Sequence, residues 1–507
     1  MFRGAAASAA ARPNTLAWAL LLAVLGALQT LAFVQTAAWP LPLLAAAVLA
    51  AVVARATPGR AALLGWSFGT GWLTAGTWWL FISMHRYGAI PAPLAAAAVC
   101  LLAAVLSLYL ALAMAAFARW RIGRSAADAL LFSAVWTLAE LARGLLFTGF
   151  PWAASGYAQV DGPLAVLLPW VGVYGVGALA AALAAALAAG WAARGVAVAV
   201  LGIAALLPAP DFTRAAGTLD VALLQPNVAQ DEKFAADRMP ETLAWVARAL
   251  TTSDAALVIA PETAVPLLPD QLEDFAPGYW AALVAHFTQP DRAALVGVPL
   301  GSYSVGYTNS VVGLSGATAA QPYRYDKHHL VPFGEFIPPG FRWFTDAMNI
   351  PLGDFNRGPL VAPSFAVAGQ RIAPNICYED LFGEELARRF RDPATAPTML
   401  ANVSNIGWFG DTAAVPQHLA ISRVRSLELQ RPMLRATNTG ATAVVDHHGR
   451  VTAQLAPFTR DVLRAQAEGR DGVTPFAWWA ARAGLWPLLV LAGAVVLWRA
   501  LVSARRG

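Results

Sequence analysis

Charge is scarce in this chain and lysine is almost missing. Of 507 residues only 13% are charged, against roughly 25% in an ordinary soluble domain, which excludes a wholly soluble protein. Lys233 and Lys327 are the only lysines, so of 35 basic residues 35 − 2 = 33 are arginine. Cysteine is equally rare. Cys100 lies inside a long apolar run and Cys377 outside one, which leaves no disulfide framework. The net charge of +5 and pI near 9.4 do not indicate a nucleic-acid partner. No basic stripe with interleaved aromatics is found, and many arginines sit in short loops between apolar runs. The adjacent His328 and His329 lack a carboxylate or cysteine at ligand spacing, so neither a metal nor any other cofactor is expected.

What is abundant is apolar. Hydrophobic residues make up 58% of the chain and the mean hydropathy is +0.54. Seven runs precede a mixed region: Leu16–Val34, Pro40–Val53, Ala61–Met84, Pro93–Phe117, Ala127–Phe147, Pro163–Ala189 and Val196–Leu207. An eighth, Trp478–Leu501, closes the chain. Most reach the roughly 17–25 residues that a spanning helix needs, the second and seventh being short. Arg3, Arg12, Arg55, Arg60, Arg119, Arg121, Arg124 and Arg194 fall in alternate loops, and Arg499, Arg505 and Arg506 follow the last run. Positive charge marks the cytoplasmic side, so both termini are expected there. Seven crossings then put residues 210–475 on the extracytoplasmic face. Glu140 and Arg143, three apart inside the fifth run, are placed to pair on one helix face. The Thr148–Trp152 stretch after them reads as a re-entrant or interfacial turn, with Trp152 and Tyr157 at interface-anchor positions.

The mixed region alternates strand and helix signals, as expected of an α/β layered domain. Buried-strand candidates are Leu219–Gln225, Ala255–Ala260, Ala293–Val298, Ser310–Leu314, Arg371–Ile376 and Thr398–Val403. Helical patterns cover Pro240–Thr251, Tyr279–Phe287, Leu381–Arg391 and Gln417–Leu429, and Thr442–Asp446 and Arg450–Leu455 flank a hairpin turn.

Three residues at the ends of such segments carry chemistry. Cys377 ends an apolar strand and opens an acidic, helix-compatible segment, where free backbone N–H groups would favour a thiolate. A chain this biased toward arginine has kept Lys327, as expected where a compact ammonium is needed. Glu262 follows the strand candidate Ala255–Ala260, at the end of a strand where α/β layers place their sites. A carboxylate there can take a proton from a thiol.

Glu262, Lys327 and Cys377, in that order and in the contexts Pro261-Glu262, Lys327 with His329 through Glu335, and Ile376-Cys377-Tyr378-Glu379, resemble the Glu-Lys-Cys triad of the nitrilase, or carbon–nitrogen hydrolase, superfamily. With membrane spans on both sides, the chain resembles the apolipoprotein N-acyltransferase family over nearly its full length. Phe147–Trp152, Gln225-Pro226-Asn227, Asn402–Asn405 with Trp408-Phe409, and Arg431–Gly440 extend the likeness. Phe234 departs from it, standing where the family pattern has tryptophan.

The resemblance implies a membrane α-helical bundle of about eight spans with an α/β nitrilase-like extracytoplasmic domain, an αββα sandwich. The expected division is a membrane domain over residues 1–210 with about seven helices, a catalytic domain over 217–465 and a final transmembrane helix over 476–503. It implies a protein of the bacterial inner membrane, its catalytic domain periplasmic, acting as a monomer among membrane lipids. The acyl donor would be a phospholipid, the acceptor the N-terminal amine of a diacylglyceryl-cysteine lipoprotein, and the intermediate a thioester on Cys377 formed by ping-pong catalysis. Glu262 would be general base and then acid, and Lys327, with a backbone N–H near Tyr378, would steady the oxyanion. Glu335 and Glu379 are candidates to orient Lys327 or Glu262. Phe341 and Trp343 suit an interfacial lid, Trp408 and Phe409 an opposing wall, and Phe150 and Trp152 further substrate contacts. A membrane-anchored amidase with the same triad and water as second nucleophile is the nearest alternative, followed by a transporter or scaffold with an inert nitrilase-like domain.

Overall fold

The computed structural model describes residues 14–318, 321–338, 340, 342 and 354–505. Among them, six helices are long and apolar enough to cross a membrane: Thr15–Phe33, Thr36–Val53, Ala92–Trp120, Ser125–Thr148, Pro163–Ala188 and Trp486–Ala504. The other two expected spans are helices of a different character. Pro58–Thr77 has the length, at 20 residues, but carries Gly65, Ser67, Gly69 and Thr77 on a face buried against its neighbours. Trp191–Leu206 has only 16 residues, short of the hydrocarbon thickness.

Two expectations about the last apolar run need correction. It is not one helix: Gly484, at φ +56°, ends Pro475–Ala483 before Trp486 begins the span. The first piece buries Phe476, Ala477 and Ala480 with Phe390 and Leu429 in the core of the α/β domain. Nor does Arg499 follow the span. It lies inside it, fully buried, 2.9 Å from Asp128 and donating to the Trp120 carbonyl. A buried guanidinium in a span needs such a partner.

The mixed region folds into two six-stranded sheets. In chain order the strands are β1 (Thr213–Gln225), β2 (Leu257–Ile259), β3 (Ala293–Ser302), β4 (Gly306–Ser315), β5 (Tyr323–Asp326), β6 (Phe365–Val367), β7 (Gln370–Ile376), β8 (Met399–Ser404), β9 (Met433–Thr437), β10 (Ala443–Val445), β11 (Val451–Gln454) and β12 (Asp461–Gly472). One sheet runs β12-β1-β2-β3-β4-β5 and the other β11-β10-β9-β8-β7-β6. Each has three parallel strands at its centre, β1, β2 and β3 in one and β7, β8 and β9 in the other. The sheets face each other across Leu223, Ile259, Leu295, Ile376, Val403 and Leu434. Helices Met239–Thr251 and Tyr279–Phe287 cover the outer face of the first sheet. The result is the expected αββα sandwich. Parallel strands buried on both faces explain the continuous apolar runs in the sequence.

The expected helix Leu381–Arg391 is instead a chain of short turns, Cys377–Leu381, Gly383–Ala387 and Arg388–Phe390. The strand candidate at Leu219 starts earlier, at Thr213, because its first half pairs antiparallel with β12.

Candidate active site

Strand ends bring the site together. Glu262 follows β2, Lys327 follows β5 directly, and Cys377 follows β7 directly. Lys327 is fixed by its backbone as well as its charge, its N–H donating to the Asn309 carbonyl and its own carbonyl accepting from Gly358 N–H, both at 2.8 Å. Cys377 adopts φ +53°, a left-handed conformation costly for a residue with a Cβ. The turn is held by its neighbours: the Cys377 carbonyl lies 3.3 Å from Asn402 Nδ2 and 3.2 Å from His418 Nε2. The Glu262 turn is equally constrained. A Cβ at Gly297 would collide with the Pro261 carbonyl oxygen, so glycine there lets β3 pass close under Glu262.

Lys327 is 1% exposed. Its Nζ lies 2.8 Å from Glu335 Oε2 and 3.6 Å from Glu262 Oε1. Asn309 Nδ2 donates to both carboxylates, at 2.7 Å each. Glu262 Oε2 accepts from Asn405 N–H at 2.7 Å, and Glu335 Oε2 from Val331 N–H at 2.8 Å. Burial works against the lysine charge, but Glu335 and then Glu262 outweigh it and hold the ammonium above the ordinary lysine range.

The expectation of a resting thiolate at Cys377 is overturned. Desolvation of the half-buried sulfur first, and the Glu262 charge second, push the thiol up to about 12, against the opposing pull of Lys327 and the Ser404 hydroxyl. The turn that Cys377 opens has only five residues, too short for a helix dipole to compete with desolvation. Cys377 therefore rests as a thiol and needs a base.

Glu335 and Glu379, grouped together in the sequence reading, do different things. Glu335 pairs with Lys327. Glu379 instead collects donors that fix both loops: His328 N–H at 2.8 Å, His329 N–H at 3.2 Å, Ile376 N–H at 2.7 Å and the Tyr325 hydroxyl at 2.7 Å. It ties the lysine loop to the cysteine strand.

The bundle reaches this site through the turn after the fifth apolar run. Glu140 and Arg143 pair at 3.4 Å, and the glutamate also accepts from Ser155 N–H and Oγ–H, at 2.7 and 2.9 Å. That anchors the chain on both sides of Thr148-Gly149. The Gly149 carbonyl then accepts the Tyr378 hydroxyl at 3.0 Å, and the Thr148 carbonyl lies 3.0 Å from His329 Nε2. Residues next to Cys377 and Lys327 thus rest on membrane-domain backbone.

The aromatic expectations divide. Trp152 is buried, and its Nε1 donates to Gln417 Oε1 at 2.8 Å, as does Trp79 Nε1 at 3.0 Å. Phe409 packs on Trp79 at 4.3 Å between ring centroids. Trp152 and Phe409 therefore sit in the seam between bundle and sandwich. Phe150 is half-buried, while Trp408 is 40% exposed and meets Tyr87 edge-on. Phe341 and Trp343 lie outside the described residues. The ring nitrogens of His329 face Glu385 and the Thr148 carbonyl, and His328 Nδ1 faces the Gly358 carbonyl at 2.8 Å. The one converging donor group among the described residues is Asp211, His447 and His448, remote in sequence from the site, with the Arg470 guanidinium 3.9 Å from the carboxylate.

Sequence reasoning passed over Asn309 and Lys233. Lys233 is 5% exposed and donates to the Glu262 carbonyl at 3.1 Å. The scarcity of lysine that singled out Lys327 pointed to it equally.

Residues 220–469 match the family model for Carbon-nitrogen hydrolase, the class that this double-sheet sandwich with its strand-end glutamate, lysine and cysteine defines. Residues 25–186 match the model described as Apolipoprotein N-acyltransferase N-terminal domain. The chain is 57% identical over 452 residues to the apolipoprotein N-acyltransferase of Verminephrobacter eiseniae, covering 84% of each. With that of Ralstonia nicotianae it shares 48% identity over 497 residues, 96% of this chain and 93% of the relative. A crystal structure of a carbon–nitrogen hydrolase from Helicobacter pylori aligns with 54% of this chain and 95% of its own, at 16% identity and a TM-score of 0.36. The chain belongs to the apolipoprotein N-acyltransferase family and is a membrane enzyme.

Proposed function

We propose that this enzyme moves an acyl chain from a phospholipid to the N-terminal amine of a diacylglyceryl-cysteine lipoprotein, through a thioester on Cys377. The observation that carries the reading is the joining of bundle and site. The Thr148 and Gly149 carbonyls hold His329 and Tyr378, close to Lys327 and Cys377, which joins the nucleophile to the apolar helical bundle itself.

Glu262 takes the Cys377 proton as sulfur attacks the ester carbonyl carbon of the phospholipid. The carbonyl electron pair moves to oxygen, where the Lys327 ammonium, with a backbone N–H near Tyr378, stabilises it. As the oxyanion collapses the ester C–O bond breaks, and Glu262 returns the proton to the departing lysophospholipid hydroxyl. In the second half the neutral acceptor amine attacks the thioester, Glu262 takes a proton from its nitrogen, and the C–S bond breaks to restore the thiol. Each half begins and ends with Glu262 ionised. This ping-pong course needs water kept from the thioester. Glu335 holds Lys327 throughout, and Glu379 keeps the two loops in register.

The competing outcome is hydrolysis by a membrane-anchored amidase. With phospholipid and a diacylglyceryl lipopeptide, the expected products are triacylated lipopeptide and lysophospholipid in equal amounts. Free fatty acid as the main product, with the lipopeptide unchanged, would select the hydrolase. We further propose an inner-membrane location with the sandwich on the periplasmic face and both termini cytoplasmic, supported by the arginine-bearing loops. A reporter fused after Pro475 should be active only when exported, and cytoplasmic activity would reverse the orientation.

A further inference from the structure

Both lysines of this chain converge on Glu262, Lys327 at its carboxylate and Lys233 at its main chain. The turns between Ala229 and Arg238 direct Lys233 inward, at 5% exposure, and Phe234 outward, at 57%. Lys233 Nζ donates to the main-chain carbonyl of Glu262 at 3.1 Å, its single hydrogen bond among the described residues, although an ammonium carries three donors. The same segment grips the other end of Glu262. Gln230 Oε1 accepts from Asn405 Nδ2 at 2.8 Å, and Asn405 N–H donates to Glu262 Oε2 at 2.7 Å. Directly after Glu262, Thr263 adopts φ +50°, a strained conformation that persists only where its surroundings impose it. Lys233, Thr242, Pro261, Glu262 and Asn438 line a common recess.

The charges around Lys233 are unequal. Facing it are Glu262 and Cys377, with Lys327 and Glu335 beyond the Glu262 carboxylate. On its own segment Glu232, Asp237 and Arg238 point to solvent and Asp231 pairs with Arg86 at the surface.

We propose that Lys233 is a positioning residue for acyl transfer, whose ammonium clamps the Glu262 turn and adds a second positive charge to the field acting on Glu262 and Cys377. This rests on the reading of Glu262 as the base. A cation there stabilises the anionic sulfur as its proton leaves. Burial lowers Lys233 to about 8, with Glu262 and Cys377 opposing the fall. Above that pH the amine is neutral and the second charge is gone, so the reaction acquires an alkaline limit that Lys327, held well above it, does not set.

The test uses the full-length protein in detergent micelles, as wild type, Lys233→Met and Lys233→Arg. Iodoacetamide alkylation of Cys377, followed by peptide mass spectrometry from about pH 6 to about pH 10, reads the thiol without needing turnover. The wild-type profile should carry an inflexion near pH 8, lost in Lys233→Met and moved upward in Lys233→Arg. Transfer at neutral pH should fall about tenfold or more in Lys233→Met and recover in Lys233→Arg, which keeps the charge. If Lys233→Met does not fold, the Lys233→Arg profile decides alone. Superimposable wild-type and variant profiles, or a Lys233→Met enzyme as fast as wild type, would overturn the role of Lys233 and leave the triad reading intact. A wild type that makes no acylated lipopeptide would instead strike the functional reading itself.

Discussion

Replacing Cys377 with alanine abolishes acyl transfer, a loss of at least about 10⁴-fold, while the protein remains folded. The strand that precedes it is secured independently of the thiol: Ile376 N–H donates to Glu379 and the Cys377 carbonyl is held by Asn402 and His418. Removing one sulfur from such a position costs about 1 kcal/mol, a fall of about 2–4 °C in the thermal midpoint. Cys377→Ser should retain the fold and still transfer very slowly. A hydroxyl is a weaker nucleophile and a far weaker acid than a thiol, and Glu262 cannot draw its proton as readily. Transfer by Cys377→Ala at more than about one per cent of wild type would refute the covalent route.

Lys327→Met has the second large effect, and it acts on stability and chemistry together. The substitution leaves Glu262 and Glu335 facing each other, bridged only by Asn309. Taking one partner from a buried ionic cluster costs about 3–5 kcal/mol. Two adjacent carboxyls with no cation between them share a proton, so the base is also partly lost, and the oxyanion loses its stabilising charge. The expected fall in transfer is about 10³-fold. Because the folded-state pKa of Lys327 is raised, its stabilisation is complete below the unfolded value of about 10.4 and is lost only as pH rises through the folded one. Neutral-pH denaturation therefore reads all of it. Adding Glu335→Gln to Lys327→Met should restore stability without restoring transfer, a separation measurable by a double-mutant cycle. Joint recovery of both would mean that Lys327 serves only the fold.

Much of this arrangement was legible in the sequence because strand ends are marked locally. Apolar runs that stop at Pro261-Glu262 and at Cys377 indicate α/β layers and put the two residues at strand ends, while the two-sheet sandwich is what the family resemblance implies. A lysine in an arginine chain marked Lys327. What stayed hidden depends on contacts between distant segments. Desolvation of the half-buried Cys377 sulfur by segments distant in sequence outweighs the local turn and raises the thiol. The separate duties of Glu335 and Glu379 follow from where Lys327 and Tyr325 come to lie. Trp152 reads as an interface anchor until Gln417, 265 residues away, accepts its N–H. Gly484 ends a helix inside an apolar run that hydropathy alone joins into one span. Arg499 reads as a loop charge in the sequence, and its pairing with Asp128 depends on a helix far away in the chain.

The central claim is that Cys377 carries the acyl chain. Mass spectrometry of the intact enzyme after incubation with phospholipid alone, without acceptor, tests it most directly. A single added acyl mass on the peptide containing Cys377, removed by hydroxylamine and discharged on addition of a diacylglyceryl lipopeptide, is the predicted result. An unmodified Cys377 in enzyme that goes on to acylate the lipopeptide would contradict it.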